Sequence, residues 1–134
     1  MLPLRRESLV IASQQDVVRT RQRVREESAR LGFRPVDQTK LVTAASELAR
    51  NALVYGGGGT VTLEACDRAG RPTLELTFED EGPGIEDLAL ALQDGYSSGS
   101  GLGLGLGGSR RLVQEFELDS GPGRGTRVRI ARSV

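Results

Sequence analysis

The chain has 134 residues, 18 basic against 18 acidic side chains, no His and a single Cys. That length suffices for one domain, expected over 1–134, to bury its own core. The balanced charge gives no field for nucleic acid or an anionic membrane, no apolar run approaches the ~20 residues of a membrane helix, and a lone Cys allows no internal disulfide, so a reducing cytoplasm is the expected home.

Two further absences prune the chemistry. Without His there is no His-based acid/base catalysis, no His metal site and no phosphohistidine relay. The sole Lys, Lys40, stands in no Gly-x-x-x-x-Gly-Lys run, so a P-loop is excluded, and the His-Arg-Asp loop of eukaryotic-type kinases is missing. The leading Met1-Leu2-Pro3-Leu4-Arg5-Arg6 lacks the apolar stretch of a signal peptide.

In chain order, Glu7 to Ala12 is a β-prone run and the expected first strand. Ser13 then offers an N-cap, with Asp16 in the first turn, to a helix whose Val17, Val24 and Leu31 recur at heptad spacing and which ends near Gly32. Its Arg-rich faces are read as solvated, a partner surface being the alternative. Pro35-Val36-Asp37 opens a second helix, with Asp37 as the expected N-cap. Leu41, Ala44, Ala45, Leu48 and Ala52 give it an apolar stripe, and Tyr55 followed by Gly56 to Gly59 ends it. On this helix Glu47 and Asn51 are four apart and so project from one face. A carboxylate and an amide oxygen stacked in this way suit a hydroxyl proton and a hard cation, although a Glu and an Asn on a helix are also ordinary surface decoration.

Thr60 to Ala65 and Thr73 to Glu79 alternate with period two, joined by a hairpin turn at Asp67 to Arg71, and Cys66 is read as a half-buried filler. The second strand closes on Asp80-Glu81-Gly82-Pro83-Gly84-Ile85. A carboxylate only accepts hydrogen bonds, so an acid on a flat, glycine-flanked turn fits a donor such as the exocyclic amine of adenine. Alone, this hexapeptide reads in the first place as a tight turn with a solvated Asp, and the rest of the chain changes that reading. One or two helical turns are expected over Glu86 to Leu92, then a polar loop over Asp94 to Ser100, and then Gly101 to Gly108 leading into a helix over Ser109 to Phe116. Gly103-x-Gly105-x-x-Gly108 formally matches a dinucleotide fingerprint but follows a loop rather than a strand. Glycines at a helix N-terminus still expose amides to an anion. From Asp87 to Gly108 there is no Lys or Arg, so phosphates there would rely on amides, the helix end and a metal ion, the alternative being a purely structural loop. Gly123 to Thr126 forms a last turn and Arg127 to Ala131 the final strand.

Glu-x-x-x-Asn on a helix, Asp-x-Gly-x-Gly after a strand and a Gly-x-Gly-x-Gly loop opening a helix stand in the order of the Bergerat nucleotide fold. Over nearly its whole length the chain resembles the GHKL superfamily of gyrase, Hsp90, histidine kinase and MutL relatives. Ser46 to Asn51, Glu79 to Ile85, Asp94 to Ser97 and Gly101 to Leu106 look most like the RsbT-type serine/threonine kinases, switch proteins of the bacterial stressosome. The loop Ser98-Gly99-Ser100-Gly101 and the run Gly56 to Gly59 depart from the usual pattern without touching a catalytic side chain.

The resemblance implies an α/β fold, a two-layer sandwich of the Bergerat type with a mixed sheet and helices on one face. It implies ATP and Mg2+ as cofactors and assigns roles by position. Asp80 would accept from the adenine amine, with Thr126 in support, and the Gly82 and Gly84 backbone would lie against the ring. Asn51 would help hold the metal, and the backbone of Gly101, Leu102, Gly103, Leu104 and Gly105 would close on the phosphates. Glu47 would be the general base. The partners implied are STAS-domain proteins as substrates and a regulatory serine phosphatase that released kinase activates. The alternatives are an anti-sigma factor kinase, which would bind a sigma factor, and a nucleotide-gated binding module without transfer. A sensor histidine kinase domain fits poorly, since no phosphoacceptor His is present.

Overall fold

The computed structural model describes residues 5–85 and 106–134. Strand β1 (Arg5–Ile11) leads into helix α1 (Gln14–Arg30). Ser13 caps α1 as expected, its Oγ accepting from the Asp16 amide at 3.3 Å, while Asp16 Oδ2 reaches back to the Ala12 amide at 2.8 Å. This reciprocal pairing satisfies backbone donors at the start of the helix. At the other end Gly32, at φ 93°, turns the chain out of the helix.

Helix α2 (Pro35–Val54) has Arg34, not Asp37, at its N-cap position, with Pro35 on the first helical turn. Pro lacks the amide a cap would satisfy and presets φ for the helix, so Asp37 is released for other work. Its Oδ1 accepts from Arg132 Nη2 at 2.7 Å and its Oδ2 from Arg34 Nε at 3.2 Å. Arg132 also donates to the Leu112 carbonyl at 3.0 Å.

Strands β2 (Gly59–Arg68) and β3 (Arg71–Asp80) form a hairpin longer than the sequence pattern indicates. They close through Ala69 (φ 53°) and Gly70 (φ 83°), two successive left-handed residues of the kind that matches strand twist. Helix α3 (Leu106–Arg111) is followed by strand β4 (Glu115–Ser120) and strand β5 (Thr126–Ser133). The helix expected over Ser109 to Phe116 therefore ends at Arg111, and Glu115 and Phe116 instead begin a strand. Glu115, Glu117 and Asp119 alternate with Phe116 and Leu118, a period of two that pairing with β5 turns into structure.

The sheet runs β1-β2-β3-β5-β4 and every described pairing is antiparallel. The expected mixed sheet is corrected in this respect. The connection from β3 through α3 does return β4 parallel to β3, but β5 lies between them and is antiparallel to both.

One sheet face carries Val61, Leu63, Leu74, Leu76, Phe78, Val128 and Ile130 into the core, against Leu41, Ala44, Ala45, Leu48 and Ala52 of α2 and Val17 and Val24 of α1. The alanines let α2 lie close to both the sheet and α1. The other face carries charge: Arg129 stands within 3.3 Å of Glu75, 3.1 Å of Glu115 and 3.0 Å of Glu117, and Arg68 bonds both Glu75 and Glu115.

The arginines of α1 divide into two sets. Arg23 bonds Glu7 of β1 at 2.9 Å, and buried Glu27 gathers Arg30 at 2.9 Å, Arg5 at 3.6 Å and Arg23 at 3.7 Å, so this set clamps the first strand to the helix. Arg19, Arg21 and Arg25 are exposed as expected. Among the described residues no helix is long and apolar enough to cross a membrane.

Candidate functional site

Backbone register builds the site. Gly59 pairs with Asp80, Asp80 with Thr126, and Thr126 with Ser120. Four residues from four strands thus form one row across the end of the sheet. Asp80 follows Phe78 by two, Thr126 precedes Val128 by two and Ser120 follows Leu118 by two, so all three side chains lie on the core face.

Asp80 is half-buried, and Gly82 donates its amide to Oδ1 at 2.9 Å. Burial pushes the Asp80 carboxyl above the ordinary aspartate range, with the amides of Gly82 and Thr126 pulling the other way. Glycines make room for the carboxylate. A Cβ on Gly56 would come within 2.4 Å of Asp80 Cγ, and one on Gly82 would lie 2.6 Å from Gly56 Cα. Gly56 in turn donates its amide to the Asn51 carbonyl at 3.2 Å. The end of α2, with Glu47 and Asn51 half-buried one turn apart, is thereby seated against Asp80.

The turn after Asp80 is pinned from the far side. Gly84, at φ 81°, lies so close to Gly121 that a Cβ would stand 1.9 Å from the Gly121 carbonyl oxygen. The Gly123 amide donates to the Pro83 carbonyl at 2.7 Å. Glycine at 84 therefore serves the packing of two turns, whatever lies against its other side.

Ser120, which is buried, is the hub of this region. Its Oγ donates to the Gly125 carbonyl at 2.8 Å, accepts from the Ile85 amide at 2.9 Å, and lies 2.9 Å from Thr126 Oγ1. A hydroxyl has one proton and two lone pairs. A carbonyl can only accept, and leaving one buried and unpaired costs about 1–3 kcal/mol, so the Ser120 proton belongs to Gly125. In the remaining contact Thr126 is then the donor.

An open cleft of ≈ 230 Å³ lies beside Asp80, Ser120 and Thr126. Arg124 and Arg127 rim it, paired with Asp119 at 3.1 Å and Glu79 at 3.4 Å. Of the residues singled out from sequence, Asp80 and Thr126 line this cleft, Gly82 and Gly84 lie on the turn that follows Asp80, and Glu47 and Asn51 stand on the helix whose end abuts Asp80. Gly101, Leu102, Gly103, Leu104 and Gly105 lie outside the described residues, as do the turns expected over Glu86 to Leu92 and the loop over Asp94 to Ser100.

Residues 36–132 match the family described as histidine kinase-, DNA gyrase B-, and HSP90-like ATPase. The chain belongs to this family. Membership brings ATP use with it. The sequence is 43% identical over 122 residues to serine/threonine-protein kinase RsbT of Bacillus subtilis, covering 91% of this chain and 92% of that protein. The enzyme class is accordingly that of a serine/threonine protein kinase, of the RsbT-like kind. Anti-sigma F factor of Thermoanaerobacter sp. (strain X514) is 32% identical over 98 residues, covering 69% of this chain and 67% of that protein. Among solved structures, the RsbU and RsbW domains of a Mycobacterium tuberculosis protein superpose with a TM-score of 0.66 at 22% identity. That match covers 98% of this chain, which spans 33% of that one. A histidine kinase domain from Erythrobacter litoralis superposes with a TM-score of 0.52 at 25% identity, covering 88% of this chain and 59% of that one. The two-layer fold expected of the family is the fold observed.

Sequence reasoning missed Gly56, Gly121 and Ser120. Gly56 was visible only as part of a glycine run, and the Ser120-Gly121-Pro122 composition signals a strand end. Nothing local marks Ser120 as the partner of Ile85, 35 residues away.

Proposed function

We propose that this chain transfers the terminal phosphoryl group of magnesium-ATP to a serine or threonine of STAS-domain partner proteins in the cytoplasm, and that the released kinase activates a regulatory serine phosphatase in bacterial stress signalling. The observation that carries the nucleotide site is Asp80: a partly desolvated carboxylate, walled by Gly56 and Gly82, at the end of a central strand. Such a group accepts strongly from an N–H donor such as the adenine amine. Thr126, its cross-strand neighbour, backs the same contact, and the backbone at Gly82 and Gly84 faces the base.

Asn51 fits a magnesium ion: it is a half-buried amide, a hard neutral oxygen donor, on the helix seated against Asp80. Magnesium coordinates mainly substrate phosphates and water, so one side-chain oxygen suffices. Bound there, it would offset charge on the phosphates. Gly101 to Gly105, with the amides of Leu102 and Leu104, would enclose the terminal phosphate at the start of α3. Glu47, one turn before Asn51 on the same face, would accept the proton of the attacking hydroxyl. Phosphoryl transfer asks mostly for positioning and charge neutralisation, plus an oriented nucleophile, and these residues supply those parts.

The likeness to an anti-sigma F factor favours a second reading, a serine kinase that also sequesters a sigma factor. Labelled magnesium-ATP offered to a STAS-domain protein and a sigma factor encoded nearby tests both. Label on the STAS protein that disappears with Glu47→Ala supports the kinase, and co-purification of the sigma factor selects the second reading. Tight ATP binding with no label would leave a nucleotide-gated binding module.

A further inference from the structure

We propose that Ser120, which need not touch the nucleotide, is a positioning residue that fixes the polarity of the Thr126 hydroxyl and so sharpens the choice of base. The inference rests on the reading of Asp80 and Thr126 as the base-recognition pair.

Ser120 spends its only proton on the Gly125 carbonyl, and one of its lone pairs is occupied by the Ile85 amide. The second lone pair takes the Thr126 proton at 2.9 Å. With its proton held there, Thr126 Oγ1 can only accept from a ligand. Its cross-strand neighbour Asp80, ionised, also only accepts. Side chains on directly opposed residues stand about 5 Å apart at Cβ, close enough for two oxygens to share the two hydrogens of one exocyclic amine by direct contact. A 6-amino purine supplies both hydrogens. A 6-oxo purine places a third acceptor against the pair and finds no donor. Ser120 thus denies the site an alternative that a freely rotating threonine would offer, namely an O–H turned outward to a 6-oxo group.

The same hub ties β4 to the turn carrying Asp80, so loss of Ser120 also has a structural cost. That cost bears on every nucleotide alike and leaves the preference between bases unchanged. A change in polarity bears on the preference itself.

The test is calorimetric titration of the full chain with ADP and with inosine diphosphate. Ser120→Ala is expected to lower the ADP preference about tenfold, the scale of one hydrogen bond gained or lost. Ser120→Thr, which keeps the hydroxyl, should restore it. In a Thr126→Val background, where no hydroxyl remains to be turned, Ser120→Ala should leave the preference unchanged. If Ser120→Ala does not fold, Ser120→Cys replaces it, since a thiol is a weak donor and acceptor of similar shape. Equal weakening of both nucleotides in the Ser120 variant, with the wild-type preference intact, overturns the inference while leaving the base site standing. A wild-type preference that survives Asp80→Asn overturns the base site itself, and the inference with it.

Discussion

Gly56 lies directly against Asp80, with room for no side chain between them: a Cβ at position 56 would meet Asp80 Cγ at 2.4 Å and the Ala52 carbonyl oxygen at 2.7 Å. The first contact would displace the carboxylate and the second would press on the last turn of α2. Because the Gly56 amide also bonds the Asn51 carbonyl, one glycine sets the separation between the helix and the strand acid.

Gly56→Ala is therefore expected to cost about 1–3 kcal/mol of stability, the usual scale of overpacking, and to weaken ATP binding at least tenfold. Gly57→Ala is the control. Its φ of 73° makes alanine strained, by roughly 1–2 kcal/mol, but a Cβ there meets nothing within 4 Å. Thermal melts should show both losses, and nucleotide titration only the first. Equal ATP affinity in the two variants would remove Gly56 from the site.

Asp80→Asn separates stability from binding. The Asp80 carboxyl is raised by burial, so the folded state holds its proton more tightly than the unfolded chain. The ionised group then opposes folding at neutral pH, and its contribution becomes more favourable as pH falls through the raised folded value toward the unfolded ~3.9. Asn keeps an oxygen for the Gly82 amide and removes the charge, so the melting temperature should hold or rise. ATP affinity should fall about 10–100-fold, the scale of one charge-assisted hydrogen bond. In the wild type, affinity should decline with acidification at a pH above that of an ordinary aspartate.

Glu47→Ala should leave ATP binding within a factor of a few and reduce phosphoryl transfer ~100-fold or more, the magnitude of a lost general base. Single-turnover transfer alongside equilibrium ATP titration checks it. Parallel loss of both would make Glu47 a structural residue.

The Arg132–Asp37 pair joins the first turn of α2 to β5, and Arg34 also lies on Asp37. Arg132 chiefly, with Arg34, holds the Asp37 carboxyl below its usual range. A depressed folded value means stabilisation present above the unfolded ~3.9 and lost as pH falls through the folded one. Asp37→Asn should lower the melting temperature at pH 7, and the gap to the wild type should close as melts are repeated at pH 4, 3 and 2. A gap independent of pH would assign the loss to packing instead.

The sequence by itself determined what depends on short-range pattern. Heptad valines and the Ser13 cap specify α1, and the alanine-rich stripe specifies α2. Period-two alternation specifies the β2–β3 hairpin, and the order of Glu47, Asn51 and Asp80 reveals the family. These features repeat within a few residues, where helix and strand geometry act directly. Local signals misled where a partner from elsewhere takes over. Asp37 looks like a cap, yet Arg132 of β5 takes its carboxylate, and Pro35 is the local sign that the helix starts earlier. Glu115 and Phe116 look helical beyond Arg111 until β5 offers a ladder; the mixed sheet, which the family resemblance implied, gives way to antiparallel pairing because β5 inserts between β3 and β4. Only the tertiary structure decided the row Gly59–Asp80–Thr126–Ser120, the Gly56 contact and the gathering of Ile85, Gly125 and Thr126 around the Ser120 hydroxyl. Each depends on register between strands and on a finite number of protons shared among residues far apart in the chain, which no local pattern encodes.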